Sequence, residues 1–211
     1  MAHVDYSRIA GVYRYIESLV FGRGLQEARV ELLGDLLRQI SDSNNPRVLV
    51  VGDGDGRFLE EFLKRSPNSV VDYVDCSEGM LREAQRRVGF DNMVSWNCED
   101  LRDWQGEDYG AVVAHFFLDG FDGGDRDLIV DLLVSKLRDG GCILLSDFDP
   151  AANSWGGVFV KVMQFFFSLV AGLPFVKVTR DDAAFEGVGG IKVSEKFWQK
   201  GWIYTQLWKM C

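Results

Sequence analysis

Val48-Leu-Val-Val-Gly-Asp-Gly-Asp-Gly-Arg-Phe58 is an apolar run that breaks into a loop of alternating glycine and aspartate. Four aliphatic residues bounded by turn formers predict a buried parallel strand, and helical spacing resumes over residues 57–64. The loop therefore sits at a strand-to-helix turn. In open α/β sheets such a turn faces the crevice at the carboxyl ends of the strands, where ligands bind. Gly52, Gly54 and Gly56 let backbone come close to a ligand there.

The pattern repeats outward from this stretch. Val71-Asp-Tyr-Val-Asp75 predicts a second short strand ending in an acid, followed by a helix over 79–88 with Ser77 as its cap. Further strands are predicted at 93–96, 111–116 and 142–146, with a helix over 125–137. Upstream, residues 6–40 read as two helices, the second carrying Leu25, Ala28, Leu32, Leu33, Leu36, Leu37 and Ile40 at helical spacing, and Ser41-Asp-Ser-Asn-Asn-Pro46 closes them. At the other end, 192–198 and 202–209 read as strands joined by Gln199-Lys-Gly201, a hairpin signal. Short strands alternating with helices predict a doubly wound, mostly parallel α/β sheet, here seven-stranded with a C-terminal antiparallel hairpin.

The loop's charge indicates which ligand it suits. A dinucleotide site uses G-x-G-x-x-G and rests a pyrophosphate on the helix N-terminus. Here the spacing is G-x-G-x-G, with Arg57 in the third glycine's place, and Asp53 and Asp55 would set two carboxylates beside that anion. Like charges a few Å apart in a partly desolvated cleft cost on the order of kcal/mol. S-adenosylmethionine has no phosphate, and its ammonium, sulfonium and ribose diol all suit acidic partners. Asp75 lies near the offset of a carboxylate that accepts ribose hydroxyls, a role common to both cofactor classes. Met80 is placed to lie on an adenine face.

At these residues the chain resembles the class I S-adenosylmethionine-dependent methyltransferases, particularly the small-molecule group that includes the quinone-biosynthesis C-methyltransferases. The carrying motifs are V-x-x-G-D-G-x-G over 48–56 with an extra aspartate, D-x-S-x-x-M-L over 75–81 and C-E-D-L over 98–101. The resemblance implies a Rossmann-like methyltransferase fold. It also implies Gly52, Asp53 and Gly54 at the methionine moiety, Asp75 at the ribose, and Asp100 near the adenine amino group with Glu99 as its rival. Cys76 and Leu101, inside the same motifs, join the candidate cofactor-binding set. So does Tyr13, on a first helix whose Tyr6-Ser-Arg-Ile-Ala10 is similar to a family segment that closes over the cofactor.

Methyl transfer asks the protein to hold a nucleophile in line with an already activated methyl group, to exclude water and, where needed, to accept a proton. The fourth strand ends in Ala114-His-Phe-Phe-Leu-Asp-Gly-Phe121 at the mouth of the same crevice, so His115 and Asp119 are the candidate base or orienting groups. Packing at a strand end, or lining the cofactor's methionine, explains His115 equally well. Turn formation explains Asp119, as it does Asp147 and Asp149.

The sequence has 211 residues with 47% apolar and 26% charged, which suits one globular domain: an N-terminal helical cap (1–45), a cofactor-binding core (46–150), an apolar insertion (151–191) and the hairpin (192–211). A net charge of −9 without a basic stripe argues against nucleic-acid partners. Cys76, Cys98, Cys142 and Cys211 are scattered, so neither a metal site nor a disulfide framework is expected, and the cytoplasm is the simplest compartment. The N-terminus has no apolar leader pattern. Residues 155–176 are nearly long enough to span a bilayer, but Lys161 and Gln164 interrupt them and Gly172 and Pro174 end the helix early. They read first as a helix against the core or a substrate lid, then as a dimer or membrane-surface contact, and last as a true span.

The expected protein is thus a methyltransferase taking S-adenosylmethionine, with S-adenosylhomocysteine as product, and a small, apolar or aromatic acceptor. An NAD(P)-dependent oxidoreductase and a non-catalytic scaffold are the alternatives.

Overall fold

The computed structural model describes residues 24–41, 46–89, 91, 93–121, 123–149 and 180–211. The first predicted helix with Tyr6, Tyr13 and Tyr15, most of the turn before Pro46 and the apolar stretch 155–176 lie outside these residues.

One seven-stranded sheet organises the described chain: β1 (Arg47–Val51), β2 (Val70–Val74), β3 (Val94–Asn97), β4 (Tyr109–His115), β5 (Leu137–Phe148), β6 (Gly190–Trp198) and β7 (Ile203–Met210). Their order across the sheet is β3-β2-β1-β4-β5-β7-β6. β1 to β5 run parallel, while β7 pairs antiparallel with both β5 and β6, so the hairpin inserts its second strand beside the parallel block. The order reverses between β1 and β4, which makes the gap between their carboxyl ends the topological switch point. The fold expectation holds.

Helices cover both faces. On one, α2 (Leu33–Ile40), α3 (Arg57–Arg65) and α4 (Glu78–Val88) bury Leu36, Phe58, Phe62 and Leu81 against Val48, Val50, Val71 and Val113. On the other, α5 (Gly123–Ser135) and α6 (Asp182–Gly187) bury Ile129, Leu133 and Phe185 against Leu49, Val112, Ile143 and Trp208. β4 is buried along its whole length, as a strand covered on both faces must be.

Two local expectations change. The helix predicted through Leu25 to Ile40 is two, α1 (Gly24–Glu31) and α2, broken at Leu32, whose ψ of 13° leaves the helical region. The break serves packing: Leu25 and Ala28 turn to Phe148 and Ile203 near the carboxyl end of β5, while Leu33, Leu36 and Ile40 stay on the core. The helix predicted to reach residue 137 ends at Ser135, and β5 begins at Leu137, drawing Arg138-Asp-Gly-Gly141 into the strand. The 199–201 turn is as expected, with positive φ at Gln199, Lys200 and Gly201.

Candidate cofactor and acceptor site

The glycine loop is held open by its own chemistry. Gly52, Gly54 and Gly56 have φ of 61°, 65° and 76°, where side chains are strained. A Cβ on Gly56 would stand 2.8 Å from the Ala84 Cβ, so this glycine lets the loop pack on α4. One on Gly52 would meet the Phe117 ring at 2.6 Å, which puts the loop after β1 against the segment after β4. These two loops meet at the switch point. The Tyr73 hydroxyl, from β2, donates to the Gly54 carbonyl at 2.8 Å and fixes the loop from below.

Asp75 sits just past the end of β2, buried, between that loop and α4. Its Oδ1 accepts from the Ser77 N–H at 2.8 Å and its Oδ2 from the Gly54 N–H at 3.3 Å. The carboxylate therefore does structural work that its position in the sequence does not announce, and each oxygen keeps lone-pair capacity for a diol. Burial pushes its pKa up to about 6, against the pull of those two amides. Ser77 caps α4 as expected, accepting from the Met80 N–H at 3.4 Å. Met80 is buried with its sulfur 3.9 Å from where a Gly54 side chain would begin.

The two loop aspartates have separate fates. Asp55 is paired with Arg57 at 3.0 Å and with Arg87 at 2.7 Å, so its charge is spent on α3 and α4 and it offers a bound cation little. Asp53 is buried. Its Oδ2 accepts from the Leu59 N–H at 3.2 Å, while Oδ1 has no partner among the described residues. Burial pushes its pKa up to about 7, and the Arg29 guanidinium on α1 opposes that rise. Of the pair, only Asp53 is available to a ligand.

Just past Asp75, Cys76 is exposed, and the Cys98 thiol donates to its carbonyl at 3.9 Å. Asp100 is half-buried, and its Oδ1 accepts from the Arg102 backbone N–H at 3.0 Å and from the guanidinium at 2.8 Å. Glu99 is exposed beside it, and Leu101 is a core residue against Val74. Tyr13 lies outside the described residues.

His115, the last residue of β4, is buried. Its Nδ1 is 2.9 Å from the Ser146 hydroxyl on β5 and its ring lies 4.8 Å from Phe58, while Nε2 has no partner among the described residues. Burial, then the charge of Arg29, pushes the imidazole well below its ordinary pKa, so it is neutral. Asp119 follows on a single 3-10 turn (Leu118–Gly120). It belongs electrostatically to a buried group built on Arg126, whose guanidinium is 2.6 Å from Asp181 and 3.8 Å from Asp147. Tyr204 donates to Asp181 at 2.6 Å. Desolvation, against the pull of Arg126, pushes Asp119 up to about 7, and desolvation with the neighbouring acids pushes Asp147 well above its usual value.

The structure thus brings Gly52, Asp53, Gly54, Asp75 and Met80 together around the switch point, with His115 at the end of the adjoining strand. Reading the sequence missed Arg29, Tyr73, Ser146, Thr205 and the Arg126–Asp181 pair. Ser146 and Thr205 left no distinct signal, because Asp147 and Gln206 stand beside them as polar residues in the same strands. Among the described residues, no group of three or more histidine, cysteine or acidic side chains gathers as for a metal ion, and no helix is long and apolar enough to cross a membrane.

Comparison with known proteins agrees with this geometry. Residues 48–141 match the methyltransferase domain family. A malonyl-[acyl-carrier protein] O-methyltransferase of Ilyobacter polytropus is 26% identical over 125 residues, 59% of this chain and 47% of that protein. A carboxy-S-adenosyl-L-methionine synthase of Shewanella woodyi is 32% identical over 85 residues, 39% of this chain and 35% of its own length. The matched stretches thus span less than half of these relatives. The magnesium protoporphyrin IX methyltransferase of Synechocystis, solved with bound S-adenosylhomocysteine, superposes with a TM-score of 0.70 at 16% identity, covering 98% of this chain and 96% of that one. Residues 48–141 thus carry the likeness to a methyltransferase domain, and nearly the whole chain shares the fold of a methyltransferase solved with S-adenosylhomocysteine, as the glycine loop and strand-end acid lead one to expect.

Proposed function

We propose that this protein transfers the methyl group of S-adenosylmethionine to a small molecule, apolar or aromatic in character, by in-line displacement. The observation that carries the cofactor assignment is Asp75, a buried carboxylate joined by hydrogen bonds to both the glycine loop and the start of α4. Its remaining lone pairs face the position of a ribose diol, and Met80 provides an apolar wall for the adenine. Gly52 and Gly54 leave room for the methionine chain, and the orphan Oδ1 of Asp53 accepts a hydrogen bond from its ammonium. The sulfonium supplies the activated methyl, so the chain's own residues have to orient the acceptor and keep water out.

His115 and Asp119 are the groups nearest the acceptor's place, at the end of the strand beside the loop. The aromatic side chains near His115 support an aromatic acceptor: the Phe58 ring lies at 4.8 Å, and the ring of Phe116, the next residue, lies tilted against Phe148 at 5.2 Å. A carboxyl oxygen is the second reading, favoured by the malonyl-[acyl-carrier protein] O-methyltransferase relative and by the positive charge of Arg29 near the same histidine. Thermal denaturation with S-adenosylhomocysteine and, separately, with NAD tests the cofactor assignment. Stabilisation by the first alone is expected, and stabilisation by NAD alone overturns it.

A further inference from the structure

Hydrogen counting fixes how His115 is held. The Ser146 hydroxyl is 2.9 Å from His115 Nδ1 and 2.9 Å from the Thr205 hydroxyl, and the Thr205 hydroxyl is 2.9 Å from the carbonyl oxygen of Ala28 on α1. A carbonyl can only accept, so the Thr205 hydrogen lies on Ala28. Thr205 then accepts from Ser146, whose single hydrogen is used, and Ser146 must accept from His115 Nδ1–H. The opposite tautomer would leave one of the three short contacts without a hydrogen. The weaker Ser146-to-Ala28 contact, at 3.3 Å, does not alter the count, because it also consumes the Ser146 hydrogen.

The consequence falls on the other nitrogen. With its hydrogen on Nδ1, the ring presents a bare lone pair at Nε2, on a side chain that is 2% exposed and has no partner for that atom among the described residues. A buried acceptor left unpaired is costly. We infer that Ser146 and Thr205 are positioning residues that hold His115 as the Nδ1–H tautomer, and that Nε2 accepts a hydrogen bond from the hydroxyl of a phenol-like methyl acceptor.

Two features choose the hydroxyl. A carboxylate carries no hydrogen at neutral pH and would leave Nε2 as it is. An amine carries one, but the Arg29 charge that reaches the His115 ring disfavours a nucleophile that becomes cationic and favours an oxygen that gains negative character.

This inference rests on the methyltransferase reading for its acceptor but not for its tautomer. The sequence contains two histidines, so a His3→Gln chain labelled with nitrogen-15 histidine reports His115 alone. In the full chain at neutral pH, the expected spectrum shows a protonated Nδ1 and an unprotonated Nε2. Ser146→Ala should move the hydrogen to Nε2 or mix the tautomers, and Thr205→Val should do so in part, with folding checked by circular dichroism. With S-adenosylhomocysteine present, phenol should shift the Nε2 resonance toward its hydrogen-bonded position and anisole, its methyl ether, should not. A wild-type ring protonated on Nε2, or charged, overturns the positioning role. An equal shift with anisole, or none with phenol up to its solubility limit, overturns the hydroxyl assignment. If S-adenosylhomocysteine does not bind, the methyltransferase reading fails while the tautomer result stands.

Discussion

The two halves of the sheet use polar groups differently. Around β1, β2 and α4, buried or half-buried polar side chains mostly serve nearby backbone: Asp75 takes the amides of Gly54 and Ser77, Asp53 takes that of Leu59, and Tyr73 holds the Gly54 carbonyl. Around β4, β5 and β7, polar side chains serve one another across long stretches of sequence, as in His115–Ser146–Thr205 and Arg126–Asp181–Tyr204. The first arrangement shapes a loop for a fixed ligand and can be written into a short motif. The second needs partners from several strands and can be varied without disturbing that motif. A fold that keeps one methyl donor and changes acceptors is served by such a division.

The largest effect that would sharpen this contrast lies in the second half. Arg126→Met leaves Asp181 buried without its cation, and removal of one member of a buried pair costs about 3–5 kcal/mol. Urea denaturation should show that loss, and a loss below about 1 kcal/mol would mean that the group is wetter than its geometry indicates.

Next comes Asp53 in the first half. Its pKa rises on folding from 3.8 to about 7, so the folded chain binds its proton more tightly than the unfolded chain does. That contribution is fully present below pH 3.8 and is lost as pH rises through about 7. Asp53→Asn keeps an oxygen for the Leu59 amide and should flatten stability over that window. Relative to wild type it should gain on the order of a few kcal/mol at slightly alkaline pH. A parallel pH profile for the two proteins would contradict the assignment.

A smaller loss is expected from Gly56→Ala, about 1–2 kcal/mol for the left-handed backbone together with the shift that Ala84 must make at 2.8 Å. Thermal denaturation checks it, and an unchanged midpoint would show that the loop need not pack on α4. Smallest is Arg82→Ala on α4, whose partner Glu78 is equally solvated at 3.1 Å. Its cost should stay below about 1 kcal/mol and fall further in salt.

The first half was legible in the sequence for the same reason that it is compact. The loop's glycines, Asp75, Ser77 and Met80 lie within 30 residues, and their roles follow from spacing along one strand–turn–helix–strand unit. Asp55 misled, because the spacing shows Arg57 only as standing in the third glycine's place and the other partner, Arg87, is 32 residues away. In the second half, the sequence pointed to His115 but not to what orients it. Thr205 and Ala28 are 177 residues apart and meet only because β7 inserts beside β5 under α1. The helix break at Leu32 escaped for a related reason: apolar spacing runs through it, and only the positions of Phe148 and Ile203 require α1 to turn.

Calorimetric titration of S-adenosylhomocysteine into the wild-type chain and into Asp75→Ala tests the central claim most directly, that the strand-end carboxylate and glycine loop form the adenosine site. Wild type should bind, and the variant, folded by circular dichroism, should bind at least tenfold more weakly, since two ribose hydroxyls lose their acceptor, worth about 1.4 kcal/mol or more. Equal affinity in a folded variant would contradict it.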